Sequence, residues 1–242
     1  MTVSRRHLLI ATAALPAAGC ALQPLPPLDR RPLDTAAGDA VLRAPAVGQR
    51  WRYRRLNAFN SAVTDEIVET VSAAGAMHER AVIDRRSALS GQALPAEIHA
   101  GWGRVQREAV WDYPLNLEQP LALWVTDPQR PGRRPTEHTR YRMDGGSFAF
   151  WIQSSLVVAG RERVSVPAGT FDTWRVDRLI RLQHDDHSRA TTTRDDTLWW
   201  APALGRWVAR ETRGRYRVPS DGPGWGSELL EDHARWVLLD AT

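Results

Sequence analysis

Lysine is absent from all 242 residues, so the 32 basic side chains are arginines. That excludes Schiff-base chemistry on a lysine and the phosphate-binding loop that ends in Gly-Lys. Cysteine occurs once, which excludes an internal disulfide and a cysteine-rich zinc site. Tyrosine and phenylalanine number four each and are together outnumbered by 11 tryptophans. No apolar run reaches the roughly 20 residues that a helix needs to cross a bilayer, which excludes a multispan helical membrane protein. A chain that is 43% hydrophobic and 25% charged is not disordered throughout, and its length suits one domain with a full core or two small ones.

The first twenty residues read as an export address. Arg5-Arg6 forms a positive start, Leu8 to Ala18 is a largely apolar stretch of 11 residues, and Ala17-Ala18-Gly19-Cys20 offers small residues before the single cysteine. Eleven residues make about 17 Å of helix, too short for a core of roughly 30 Å, so the pattern is that of a cleaved signal peptide. Ala17-Ala18-Gly19-Cys20 resembles the lipobox of bacterial lipoproteins, with Ala17 where leucine is commoner. That resemblance implies removal of residues 1–19. It also implies acylation of Cys20, with a diacylglycerol on sulfur and a further chain such as palmitate on the amine. Three acyl chains hold a protein at a membrane nearly permanently. Ser4-Arg5-Arg6-His7-Leu8-Leu9 also resembles a twin-arginine export signal, without its usual phenylalanine and lysine. Ala21, rather than aspartate, follows the cysteine. By resemblance to enterobacterial lipoproteins this implies the outer membrane, periplasmic face, with the periplasmic face of the inner membrane as the alternative.

Without residues 1–19 the chain keeps 30 arginines against 28 acids, a net charge of +2. So balanced a charge, together with an export signal, argues against a nucleic-acid partner. Residues 20–46 hold Pro24, Pro26, Pro27, Pro32 and Pro45 with no apolar period, the composition of an extended, solvated tether. Residues 47–242 read as one domain.

In that domain apolar and polar residues alternate with period two. Trp51 and Tyr53 alternate with arginines, Asn60-Ser61 suggests a turn, and strand patterns follow over 64–71, 77–83 and 148–158. Trp174, Val176, Ile180 and Leu182 share one parity against Arg175, Asp177 and Arg181, and further strands read over 195–200 and 207–218. Residues 228–239 fit both a strand and a helix, and a strand is preferred because it would extend the sheet. Residues 88–106 read as a long surface loop. The expected fold is mainly β, an antiparallel curved sheet forming a half-open barrel or a sandwich, with little helix.

An ordered series runs through Val166-Pro167-Ala168-Gly169-Thr170-Phe171, Trp174-Arg175-Val176, Trp199-Trp200-Ala201-Pro202, Gly205 and Val208-Ala209-Arg210-Glu211. It resembles the "V-P-A-G-T-F … W-Y-A-P" pattern of bacterial envelope proteins whose domain has no assigned function, with Trp200 in place of tyrosine. The resemblance implies a periplasmic β-rich domain, broadly like the half-barrels of the LolA/LolB carriers, and carries no catalytic residues. Physically, Pro167 pre-sets a turn, Gly169 accepts positive φ, and Pro202 ends a strand.

Chemistry-bearing clusters are few. His184, Asp186 and His187, with Asp185 between, are the candidate metal ligands, but a hairpin tip of solvated residues explains them more simply. Ser147, Ser154 and Ser155 with His138 and several aspartates lack the Gly-x-Ser-x-Gly elbow of a hydrolase. Asp195-Asp196, Glu228 and Glu231 read as solvated charge rather than a glycosidase pair. Trp151, Trp174, Trp200 and Trp207 are the candidate ligand-binding residues, on a concave apolar face, although packing of a large β core suits them as well. No cofactor or metal is expected. The expected function is non-enzymatic: binding an apolar or amphipathic envelope component, or a protein partner. The alternatives are an envelope hydrolase acting on glycan or ester, and a structural subunit of an envelope assembly.

Overall fold

A computed structural model of the chain describes residues 25–34, 43–76, 78–109, 111, 113–124, 131–219 and 226–242. The expected signal peptide, residues 1–19, and Cys20 lie outside the described residues. Fourteen strands and no helix are found among those described. The first seven are β1 (Arg30–Leu33), β2 (Arg50–Asn57), β3 (Val63–Ala73), β4 (Ala81–Ser87), β5 (Ala93–His99), β6 (Arg104–Glu108) and β7 (Leu115–Ala122). The others are β8 (Gly132–Arg133), β9 (Glu137–Arg142), β10 (Phe150–Val166), β11 (Gly169–Leu182), β12 (Thr191–Ala201), β13 (Arg206–Arg217) and β14 (Glu228–Ala241).

The order β10-β11-β12-β13-β14-β2-β3-β4-β5-β6-β7-β9 returns to β10 through the β9–β10 pairing, so twelve antiparallel strands close into a barrel. The expected mainly β, antiparallel sheet is present, and it closes. Closure works because β10 is 17 residues long and offers one edge to three short strands in turn: β9 at 150–154, β8 at 157–158 and β1 at 161–164. A bulge at Val158/Gly160, with Gly160 at φ +147°, lets so long a strand bend. Residues 228–241 are strand, not helix, and they join the two halves by pairing β13 with β2.

A barrel of about eight strands is filled by ordinary side chains, and a wider one leaves a lumen. Twelve strands therefore need long side chains inside. Trp51, Trp102, Trp124, Trp200, Trp207 and Trp236 are all fully buried, together with Arg194, Arg206 and Arg210. The tryptophan excess seen in the sequence is largely the filling of this interior.

The turn motifs behave as their residues dictate. Val166 pairs with Gly169 across a two-residue turn at Pro167-Ala168, and Gly169 sits at φ +131°. Strand β12 stops at Ala201 before Pro202, and Gly205 at φ +71° returns the chain into β13. A Cβ on Gly205 would lie 2.7 Å from the Arg43 carbonyl oxygen, so close approach as well as φ requires glycine there.

Two sequence expectations are corrected. Residues 88–106, read as a loop, contain β5 and the start of β6. The alternation is erased there because inward positions carry Glu97, His99 and Glu108 instead of apolar residues. Residues 25–34, read as part of a free tether, lie on the barrel. β1 pairs with β10, Arg30 meets Glu162 at 2.6 Å, and Arg235 donates to the Pro26 carbonyl. An edge left open on β10 provides backbone partners that the prolines of this segment do not need to match residue by residue.

Candidate functional site

The candidate tryptophans separate into two places. The register lines up Trp174, Trp200 and Trp207 across β11, β12 and β13, and all three are buried. Their neighbours occupy their ring faces: Tyr53 stacks on Trp207 at 3.9 Å and Trp124 on Trp200 at 6.2 Å. Trp151 points the other way, outward near the start of β10, and is 43% exposed. The four do not form one surface.

The interior also holds charge that sequence reasoning missed. Arg178, Asp196 and Arg210 project inward from β11, β12 and β13 and meet Glu108 from β6. Arg178 bonds both oxygens of Glu108, at 3.0 and 3.1 Å, and Asp196 at 2.7 Å. Arg210 reaches Glu108 at 2.6 Å and both oxygens of Asp196 at 2.8 Å. Two cations and two anions thus close a neutral, fully buried tetrad. Burial alone would raise the Glu108 carboxyl, but the two guanidiniums hold it below its ordinary range.

A second cluster surrounds Arg206, which donates to Glu69 and Glu97, each at 2.7 Å. Trp51, Trp102, Trp124 and Trp207 ring its guanidinium at 5.3–6.0 Å. His99 Nδ1 accepts from the Gly103 N–H, so its Nε2 carries the hydrogen donated to Glu97 at 2.8 Å. Burial would raise Glu97 too, but Arg206 and His99 keep it well below the usual carboxylate range. In a third cluster Arg194 binds Asp232 at 3.0 Å and Glu231 at 2.6 Å, beneath the Trp111 ring. These pairs use the planar, always-charged guanidinium where an ammonium would fit worse.

Asp196, read from the sequence as solvated, is therefore an interior ion-pair partner, and Glu231 is a part-buried one. Asp195 and Glu228 are outside and share Arg215. The signal for the tetrad was available in the parity: Arg178 shares the even-numbered face of Trp174, Val176, Ile180 and Leu182.

The other candidates do not assemble. His184 follows β11 and is buried edge-on against Tyr113, its Nδ1 accepting from the Asp186 N–H, and burial lowers its basicity. Asp185, Asp186 and His187 are exposed in the same connection. Among the described residues no three His, Asp or Glu side chains are placed to hold a metal ion. Ser155 Oγ meets Thr136 Oγ1 at 3.0 Å, and Ser154 Oγ has no hydrogen-bond partner, so neither is activated by His138.

What remains open is the outer face of β10–β14. The register sets out its rows: Gln153-Arg181-Thr193-Arg215, then Ser155-Leu179-Asp195-Arg213-His233, then Val157-Asp177-Thr197-Glu211-Arg235. Three adjoining hollows of about 490, 530 and 400 Å³ run over these rows; Asp195 lines all three, Arg181 the first two, and Arg175 the first and third. The segment 25–30 bounds the last of them with Pro27 and Leu28 beside Trp199. Trp199 faces outward, yet is buried, and it donates to Glu162 at 2.7 Å. Apart from the inward-facing Arg178 and Asp196, the hollows are lined by eight arginines and four carboxylates. Arg175 pairs with Asp177 and Arg235 with Glu211, whereas Arg133, Arg181 and Arg213 have no acidic partner among the described residues.

No family model and no curated protein matches the sequence. Solved structures do. A Bacteroides fragilis protein, described as exported and as having a YmcC-like fold, aligns with TM-score 0.53 at 15% identity over 84% of this chain and 100% of that one. A Parabacteroides distasonis protein described as a lipoprotein gives TM-score 0.49 at 14% identity, covering 85% and 100%. The hypothetical lipoprotein YmcC of Escherichia coli gives 0.39 at 12%, covering 82% and 90%. In fold, the chain is similar to the YmcC-like protein of Bacteroides fragilis.

Proposed function

We propose that this protein is an envelope lipoprotein, anchored through Cys20 and facing the periplasm from the outer membrane, whose barrel is a non-enzymatic binding module. The ligand it holds on the outer face of β10–β14 is an anionic, amphipathic envelope component. The observation that carries this reading is a set of guanidiniums without an acidic partner among the described residues, Arg133, Arg181 and Arg213, in adjoining hollows of one outer face. The other outward arginines of these hollows, Arg30, Arg175, Arg215, Arg217 and Arg235, each have a carboxylate, so these three are the ones left there to bind an outside anion. A guanidinium grips phosphate or carboxylate through paired, charge-assisted hydrogen bonds. Apolar groups of the same groove, Val157, Leu179 and the edge of Leu28, suit the body of an amphiphile.

The test is a titration of the mature chain with dihexanoyl-phosphatidylglycerol below its micelle concentration, against dihexanoyl-phosphatidylcholine. The anionic lipid should bind at least about tenfold tighter, and the R133Q/R181Q/R213Q variant should abolish the difference. Equal affinities for the two lipids in the unaltered protein would refute the groove as an anion site.

A further inference from the structure

Antiparallel pairing lets every exposed apolar side chain be assigned to one end of the barrel or the other. Leu56 pairs with Val63, Ile67 with Ser87, Ala234 with Asn57 and Arg217 with Glu228, which puts the β2–β3, β4–β5 and β13–β14 connections at the same end. Thr191 pairs with Arg217, Ile152 with Leu182 and Phe150 with Tyr141, which adds the β11–β12 and β9–β10 connections to that end. Phe59 and Val63 sit there beside the β2–β3 turn, and Leu89 on the β4–β5 turn. Phe148 and Trp151 flank the start of β10, and Leu229 and Leu230 begin β14. Seven of the eight exposed large hydrophobics among the described residues thus rim one end, and the eighth, Val47, lies at the other. Scattered exposed apolar residues are ordinary, but a rim confined to one end marks an interaction surface.

The chain itself says what covers it. The N-terminal segment meets the barrel at this end, where the Leu25 N–H approaches the Ala58 carbonyl at 3.5 Å. Only five peptide steps separate Leu25 from Cys20, a reach of at most about 18 Å. Acyl chains on Cys20 would therefore hold the rim at the bilayer and could not suspend the barrel tens of ångströms away. Aromatic and branched side chains such as Phe148 and Trp151 suit the boundary between headgroups and acyl chains. Basic residues gather beside them, since Arg181, Arg213 and Arg215 lie on the rows of the groove nearest this end.

We infer that the barrel docks end-on against the leaflet that carries its own anchor. The rim of Phe59, Phe148, Trp151 and Leu229 enters the interface, and the groove opens beside anionic headgroups. This rests on the reading of Cys20 as acylated.

The test uses the mature lipidated protein on vesicles of phosphatidylcholine with about 30% phosphatidylglycerol. Because Cys20 is the single cysteine, an acylated chain has no free thiol, and F148C or V47C introduces one reporter each. Both sites are exposed, so both variants keep the fold. A bulky, membrane-impermeant maleimide should label V47C at least about tenfold faster than F148C. Equal rates, or faster labelling of F148C, would overturn the docking. An intact mass that shows no acylation at residue 20 would instead overturn the anchor, while leaving the lipid titration above to judge the groove by itself.

Discussion

Replacing Glu108 by glutamine removes one charge from the interior and little volume. The unaltered tetrad balances Arg178 and Arg210 against Glu108 and Asp196, all of them at most 2% exposed. Glu108→Gln leaves two guanidiniums facing one carboxylate, in a site that water does not reach. Three hydrogen bonds from guanidinium to Glu108 become at best one or two weaker ones. An uncompensated buried charge costs about 3–5 kcal/mol. In a domain of this size that is a fall of about 10 °C in Tm. The compensating change is Arg178→Met in the same chain, which leaves Arg210 paired with Asp196 and restores neutrality. Replacing a buried pair by packed apolar groups is often close to neutral, so E108Q/R178M should recover to within about 2 kcal/mol of the unaltered protein. Urea unfolding followed by tryptophan fluorescence reads all three variants, and D195N serves as control because its exposed pair with Arg215 is worth about 1 kcal/mol or less. If E108Q costs under about 1 kcal/mol, or if the double variant costs the sum of the singles, the tetrad is not a charge-balanced unit.

Two further outcomes are expected. Trp200→Ala should destabilise by about 3–5 kcal/mol through loss of core volume, whereas Trp151→Ala, on the exposed rim, should change stability by less than about 1 kcal/mol in the same urea assay. A similar cost for both would mean that Trp151 is not on the outside. On acidification, Glu97 and Glu108 have folded-state pKa values below the ordinary 4.5, so their stabilisation is fully present above that value and is lost only as pH falls through the lowered ones. Circular dichroism should therefore show the barrel intact at pH 4.5 and losing its fold only on further acidification, and a midpoint above 4.5 would contradict the ion pairing.

Much of the strand plan was legible because β2, β3 and β10–β13 keep alternation over many residues, whereas β14, buried at five consecutive positions, fitted a helix as well. Trp174 to Leu182 and 195–200 announce their faces directly. The strands β5 to β9 were not legible. They are short, β7 contains Pro120, and their inward positions hold Glu97, His99 and Glu108, so the pattern that marks a half-buried strand is absent. The turn at Pro167-Ala168 and the return at Gly205 could be read ahead because proline and glycine restrict φ locally. The groove could not, since its arginines look like any solvated face until the register shows which of them lack a carboxylate.

The residues by themselves determine a mainly β chain, its hairpin turns and a tryptophan supply out of proportion to the other aromatics, and they carry the expectation of an export address ending at Cys20. These are local properties, set by side-chain volume, backbone freedom and alternation. Closure into twelve strands, the pairing of Glu108 with arginines 70 and 102 residues away, and the gathering of seven apolar side chains at one end were decided only in three dimensions. The reason is physical: an inward arginine is unfavourable alone and becomes acceptable only when the closed barrel delivers its carboxylate, which no local window of sequence contains.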